Sequence, residues 1–185
     1  MANATKQALA AAMKSLMEQQ PFSKINVGDI CDACGLNRKS FYYHFRDKYD
    51  LVNWIFQTEF IAAAQSGADS DGWPLLRRLC SYFYENRSFY KNAMEVHGQN
   101  SFPEYFREVM QPLIQVMIVG LLDICDQDAE FAAQFYTDAF LCAIIRWLSG
   151  KDCMPAGEFV EKLETSLSLG AHRVMAYETD LQKTR

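Results

Sequence analysis

The stretch "CGLNRKSFYYHFRDKYDLV", Cys34 to Val52, decides how the whole chain is read. Gly35 ends one short apolar pattern by supplying the left-handed conformation a tight turn needs. Asn37 offers a side-chain cap, and a helix is expected from it to Phe45. At about 100° per residue, Phe41 and Phe45 share one face. Lys39, Tyr43 and Arg46 lie nearly opposite; Ser40 and His44 flank one side, Arg38 and Tyr42 the other. One face is suited to burial, and the other is cationic and rich in hydrogen-bond donors.

Helical spacing continues on both sides. Ala8, Leu9, Ala12, Met13 and Leu16 form an amphipathic stripe that Pro21 ends. Asn26 can cap a short helix from Val27 to Ala33, with Ile30 turned inward. Asp47 can cap a fourth helix running through Leu51, Ile55 and Ile61. The polar stretch Ser66 to Pro74 reads as a loop. Beyond it, helices are expected near Pro74 to Asn86, Ser88 to His97, Pro103 to Asp123, Asp128 to Ser149 and Pro155 to Glu178. Pro112 and Gly120 should weaken or kink the third of these, and the polar tail should fray. Strand signals are almost absent, so the fold class is all-α. We divide it into an N-terminal three-helix helix-turn-helix domain, residues 1–50, and a C-terminal helical dimerisation and effector domain, residues 51–185.

Composition narrows the function. Half of the 185 residues are apolar, which argues against disorder. No apolar run reaches the roughly 18 residues of a membrane span, and the first residues lack a signal-peptide pattern, so a cytoplasmic protein with no membrane partner is expected. The six cysteines include Cys31 and Cys34 as a CxxC, but no second Cys or His pair completes a metal set. They read as structural thiols in a reducing compartment. No Gly-rich phosphate loop, HExxH or nucleophile elbow is present, so no catalytic residue, cofactor or metal is assigned. Charge is uneven: the first 50 residues hold seven Lys and Arg against five Asp and Glu, while the chain as a whole is −5. A basic front on an acidic body calls for an anionic partner at the front alone.

Two short helices joined by a Gly turn form a helix-turn-helix, and its second helix is the one that enters a DNA major groove. Arg38 and Lys39 sit near its N-terminus, where either can pair with guanine O6 and N7. Tyr43 can meet a thymine methyl or a phosphate. Tyr42, His44 and Lys48 can donate to phosphates. Ser40 flanks the same face, and the helix start at Asn26 offers backbone donors. In Gly35, Leu36, Asn37, Ser40, Phe41, Tyr42, His44, Phe45, Lys48, Asp50 and Leu51, the chain resembles the TetR family of bacterial transcription regulators. The resemblance covers about the first 55 residues. "SFYYHFRDKYDLVNWIF" is similar to a branch associated with dihydroxyacetone-kinase regulation. Asn26 stands where the family usually has Thr, and Cys31 and Cys34 where it has Ala.

The resemblance implies a homodimer on a palindromic double-stranded DNA operator, with repression the family default. It also implies a signal, small molecule or partner protein, received by the body. For the dimer interface the apolar residues Phe140, Ile144, Trp147 and Leu148 are the first candidates, with the stripe Leu163, Leu167 and Val174 on the last helix. For a ligand pocket the candidates are Phe83, Tyr90, Met94, His97, Phe106, Met117 and Phe135, each of which could equally be plain core. The competing function is a helical interaction module or co-regulator that acts mainly through a partner protein.

Overall fold

The computed structural model describes residues 2–61, 72–96, 98–122 and 125–168. Among them the regular elements are all helical. They are α1 (Ala2–Gln19), a 3-10 turn (Phe22–Lys24), α2 (Val27–Ala33), α3 (Arg38–His44) and α4 (Lys48–Phe56), which widens into a π turn (Gln57–Ile61). Then come α5 (Gly72–Glu85), α6 (Arg87–Met94), α7 (Phe102–Leu122), α8 (Asp126–Ser149) and α9, helical over 156–168. The expected loop Ser66 to Pro74 lies outside the described residues up to 71, and the helix starts earlier, at Gly72. His97, Val174 and the tail also lie outside them.

The short helices form where their side chains close their own ends. The Asn26 side chain accepts from the Gly28 and Asp29 amides, and Asp29 accepts from the Asn26 amide in return, a complete capping box. Asn37 accepts from the Ser40 amide at 2.8 Å. Asp47 accepts from the Tyr49 and Asp50 amides. Gly35 has φ +67°, and the Leu36 amide reaches back to the Cys31 carbonyl at 2.9 Å. This six-to-one bond is the Schellman closure, and it turns the chain from α2 into α3.

Leu9, Met13, Met17, Ile25, Ile30, Phe41, Leu51 and Ile55 are all buried in one cluster, and α3 packs against α1 and α2. The core does not stop at the end of this head. Phe56, on α4, is ringed by Phe102 at 5.4 Å, Phe83 and Phe106 at 5.8 Å and Tyr90 at 6.1 Å. One apolar cluster therefore runs from α1 to α9. In the body, α7 and α8 pack along each other. Pro112 does not break α7: both Pro112 and Glu108, whose carbonyl loses its usual donor, are exposed to water.

The spacing predicts one helix to Ile61, and the structure instead has a π turn over Gln57–Ile61. The wider turn brings the Glu59 carboxylate to Lys14 Nζ at 2.8 Å, and the Tyr82 hydroxyl donates to the same oxygen at 2.7 Å. Tyr90 donates to the Tyr82 oxygen at 2.8 Å. Burial raises both phenol pKa values, so the chain stays neutral and hydrogen-bonded. Asn92, on α6, donates to the Met17 carbonyl at 2.6 Å near the end of α1. Both contacts fasten the head to the body.

Candidate nucleic-acid interface

α3 is held by its apolar side and offers its polar side to solvent. Phe41 and Phe45 are buried, with rings 5.8 Å apart, and Phe45 meets the Trp54 ring edge-on at 5.6 Å. Opposite them, Lys39 is exposed, and Tyr43 is, among the described residues, the most exposed large hydrophobic at 81%. The Arg46 side chain is 78% exposed and pairs only loosely with Asp50 at 3.8 Å. Tyr42 is 58% exposed, while Ser40 and His44 are half-buried on the flanks. Tyr43 leans edge-on against the His44 ring at 4.9 Å, which limits its rotation. Arg38 is exposed but reaches back along α2: a Cβ added at Gly28 would lie 2.6 Å from its guanidinium. Gly28 leaves room for that approach.

Three expected DNA contacts have other tasks here. The Asn26 carbonyl oxygen is engaged by two amides of α2, so that helix start keeps fewer free donors than expected. Ser40 donates its hydroxyl to Asn37 at 3.1 Å and so reinforces the cap. Lys48 has the closest partners of the three. Its ammonium donates to the Phe22 carbonyl at 2.8 Å and the Ile25 carbonyl at 2.6 Å, and it lies 4.3 Å from the Phe22 ring centre. It fastens α4 to the 3-10 turn, and burial lowers its pKa. Lys48→Met should lower stability by about 2 kcal/mol, because two charge-assisted bonds go and two carbonyls lose their donor. Urea unfolding checks this: an unchanged midpoint with a changed salt dependence of DNA binding would return Lys48 to the phosphate set.

The body also departs from expectation. Phe83, Tyr90, Met94 and Phe106 are buried in the core, with the Phe83 and Tyr90 rings 4.5 Å apart. Phe135 faces outward, 58% exposed. An apolar cavity of about 150 Å³ lies elsewhere, between α5, α7, α8 and α9, and of the expected pocket residues only Met117 lines it. Leu76, Ile114, Tyr136 and Leu163 form other parts of its wall.

The expected dimer residues Phe140, Ile144, Trp147 and Leu148 are buried within their own chain. Trp147 stacks on Phe159 at 4.3 Å and donates its indole N–H to the Met154 carbonyl at 2.8 Å, closing the turn into α9. Leu163 and Leu167 line the cavity and are half-buried. Among the described residues of the body, the large apolar side chains left in solvent are Leu113 and Val116 on α7, and Phe131 and Phe135 on α8.

The six cysteines are free. Burial raises the Cys31 and Cys34 pKa values and pushes the Cys80 thiol up to about 12. Among the described residues, no group of three or more His, Cys, Asp or Glu could hold a metal ion, and no helix is long and apolar enough to cross a membrane.

A capped, glycine-turned helix pair that presents a basic, aromatic helix face defines a helix-turn-helix DNA-binding protein. The chain belongs to the TetR family of transcriptional regulators. Residues 8–55 match the family model for bacterial regulatory proteins of the tetR family, and residues 72–168 match that for a transcriptional regulator C-terminal region. This is a family of regulators, not of enzymes. A curated relative, the HTH-type dhaKLM operon transcriptional activator DhaS of Lactococcus lactis subsp. lactis (strain IL1403), is 27% identical over 169 residues. That alignment covers 88% of this chain and 86% of the relative. Among solved structures, the dihydroxyacetone kinase operon activator DhaS aligns with TM-score 0.62 and 22% identity, covering 94% of this chain and 97% of the other. A TetR transcriptional regulator from Streptococcus agalactiae 2603V aligns with TM-score 0.70 and 21% identity, covering 90% and 94%.

Proposed function

We propose that this regulator binds a palindromic operator in the cytoplasm as a homodimer, with α3 in the major groove, and represses the promoter it covers. The carrying observation is the exposed Lys39, Tyr43 and Arg46 face on a helix anchored by Phe41 and Phe45. Lys39 and Tyr43 are the base-reading candidates; Arg38, Tyr42, His44 and Arg46 set register through phosphates. Residues 1–50 act as the reading head and 51–185 as the regulatory body, with α4 passing from one to the other.

The exposed Leu113, Val116, Phe131 and Phe135 are the side chains a second copy would cover. The apolar cavity beside Met117 suits an uncharged, largely hydrocarbon effector. Activation is a second reading, favoured by the curated relative named as a transcriptional activator. Genomic fragments captured by the purified chain test the proposal. Enriched fragments should share an inverted repeat with half-site centres about 10 base pairs, or a multiple, apart. Fragments with no common repeat would reject it. A reporter driven by the captured promoter then separates repression from activation.

A further inference from the structure

Gly28 stands where nothing in the backbone asks for a glycine. It lies inside α2, and among the described residues the glycines with positive φ are Gly35 and Gly98. A glycine inside a helix is less favourable than an alanine, so its missing side chain needs another reason. The surrounding space supplies one. A Cβ at this position would lie 2.6 Å from Arg38 Nη2, 3.4 Å from Arg38 Cζ and 2.8 Å from Asn26 Oδ1. Gly28 is buried, and the guanidinium is part of what covers it. Gly120 and Gly157, by contrast, have nothing within 4 Å of such an atom. The Arg38 guanidinium therefore occupies the place of a side chain at residue 28. Its charge stays available there: among the described residues no carboxylate pairs with it.

We propose that Gly28 is the positioning residue for Arg38, holding its guanidinium over the first turn of α2 so that it takes a DNA backbone phosphate and not a base edge. This rests on the proposed placement of α3 in the major groove. In a helix-turn-helix the second helix lies in the groove and the first crosses the backbone. A guanidinium drawn back over α2 is thus on the backbone side, turned from the Lys39, Tyr43 and Arg46 face. Phosphate suits its planar fork, which can engage two acceptor oxygens at once. A methyl group at residue 28 meets only the ends of two side chains, so it displaces the guanidinium without breaking α2. Once displaced, Arg38 regains the rotamer freedom of an exposed side chain, and its contact is no longer pre-aligned. A residue that touches no DNA thereby sets the strength of one phosphate contact.

Fluorescence anisotropy of the full chain on the captured operator and on a scrambled duplex, at several salt concentrations, tests this as a double-mutant cycle. Arg38→Ala should weaken both duplexes by about tenfold, the loss of one charge-assisted contact, and lower the salt slope by about 0.9. Gly28→Ala should approach both changes. In the Arg38→Ala background, Gly28→Ala should alter neither, because the guanidinium it displaces is gone. A looser Asn26 cap would act in both backgrounds, so the cycle separates it from the positioning role. Circular dichroism should show every variant folded, since alanine favours helix at residue 28 and Arg38 is exposed. Three results for Gly28→Ala would overturn the inference: wild-type affinity and slope, equal loss of affinity with and without Arg38, or an unfolded chain. Gly28 would then be neutral or a packing residue of α2. Arg38→Ala weakening the operator but sparing the scrambled duplex would overturn it too, because Arg38 would then read a base. A wild-type chain that binds no operator would overturn the proposed function along with the inference, a result distinct from all of these.

Discussion

Replacing Lys39 and Tyr43 together by Ala is expected to lower operator affinity by about 100-fold and to leave the fold and the proposed dimer intact. A good side-chain contact to a base edge is worth about 1–3 kcal/mol, so two lost contacts reach the 2.7 kcal/mol that 100-fold requires. The fold is spared because neither side chain contributes to the core: Tyr43 is 81% exposed and Lys39 is exposed. Truncating Tyr43 removes one edge contact to His44, a change of the order expected for a surface substitution, about 0.5 kcal/mol. Fluorescence anisotropy on the captured operator at several salt concentrations measures the effect. If Lys39 meets phosphate instead of a base, the salt slope falls by about 0.9 per contact and all sequences weaken alike. If it reads guanine, the loss is concentrated on the specific site. Affinity within threefold of wild type, with an unchanged salt slope, would remove α3 as the reading element.

The parts of this site that were legible are those whose physics is local. Asn26, Asn37 and Asp47 cap helices through amides two or three residues away, so spacing alone locates them. Gly35 is legible for the same reason: its left-handed φ serves a turn within the same short segment. The wheel of α3 is legible because two phenylalanines four apart can point only one way. What was illegible depends on partners distant in sequence. Lys48 looks like a free cation until the Phe22 and Ile25 carbonyls are placed beside it. The aromatic residues from Phe83 to Phe106 have the composition of a pocket, but only packing shows that Phe56 fills the space between them. The π turn leaves no periodicity signal, because Phe56 and Phe60 still stack as i and i+4 residues would. Lys6 lies one turn before the Leu9 stripe, where it reads as an ordinary solvated lysine. Its place between two rings is a tertiary fact.

α8 carries the sharpest ambiguity, and the second large prediction follows from it. The helix is apolar on several faces, so its sequence does not say which face meets the rest of its own chain. Phe131 and Phe140 are nine residues apart, which is about half a turn around the axis. Phe140 is 8% exposed and Phe131 is 73% exposed. The outward pair Phe131 and Phe135 is therefore the half available to a second copy, and Phe140, Ile144 and Trp147 are the half already used. Phe131→Asp with Phe135→Asp should give a folded monomer. Burying a phenylalanine is worth about 1.5–3 kcal/mol, and two-fold symmetry counts each position twice, so the pair accounts for roughly 6–12 kcal/mol before any penalty for burying the new carboxylates. Loss on that scale exceeds what an interface of ordinary size can absorb. Each subunit would then hold one half-site alone, and operator affinity should fall by at least about 100-fold through lost bivalency. Sedimentation at micromolar protein reads the mass, and circular dichroism reads the helix. Ile144→Asp is the contrasting variant: Ile144 is 0% exposed, and an unpaired charge there should unfold the chain instead of separating two folded copies. A Phe131/Phe135 variant that still sediments as a dimer would place the second copy on another surface.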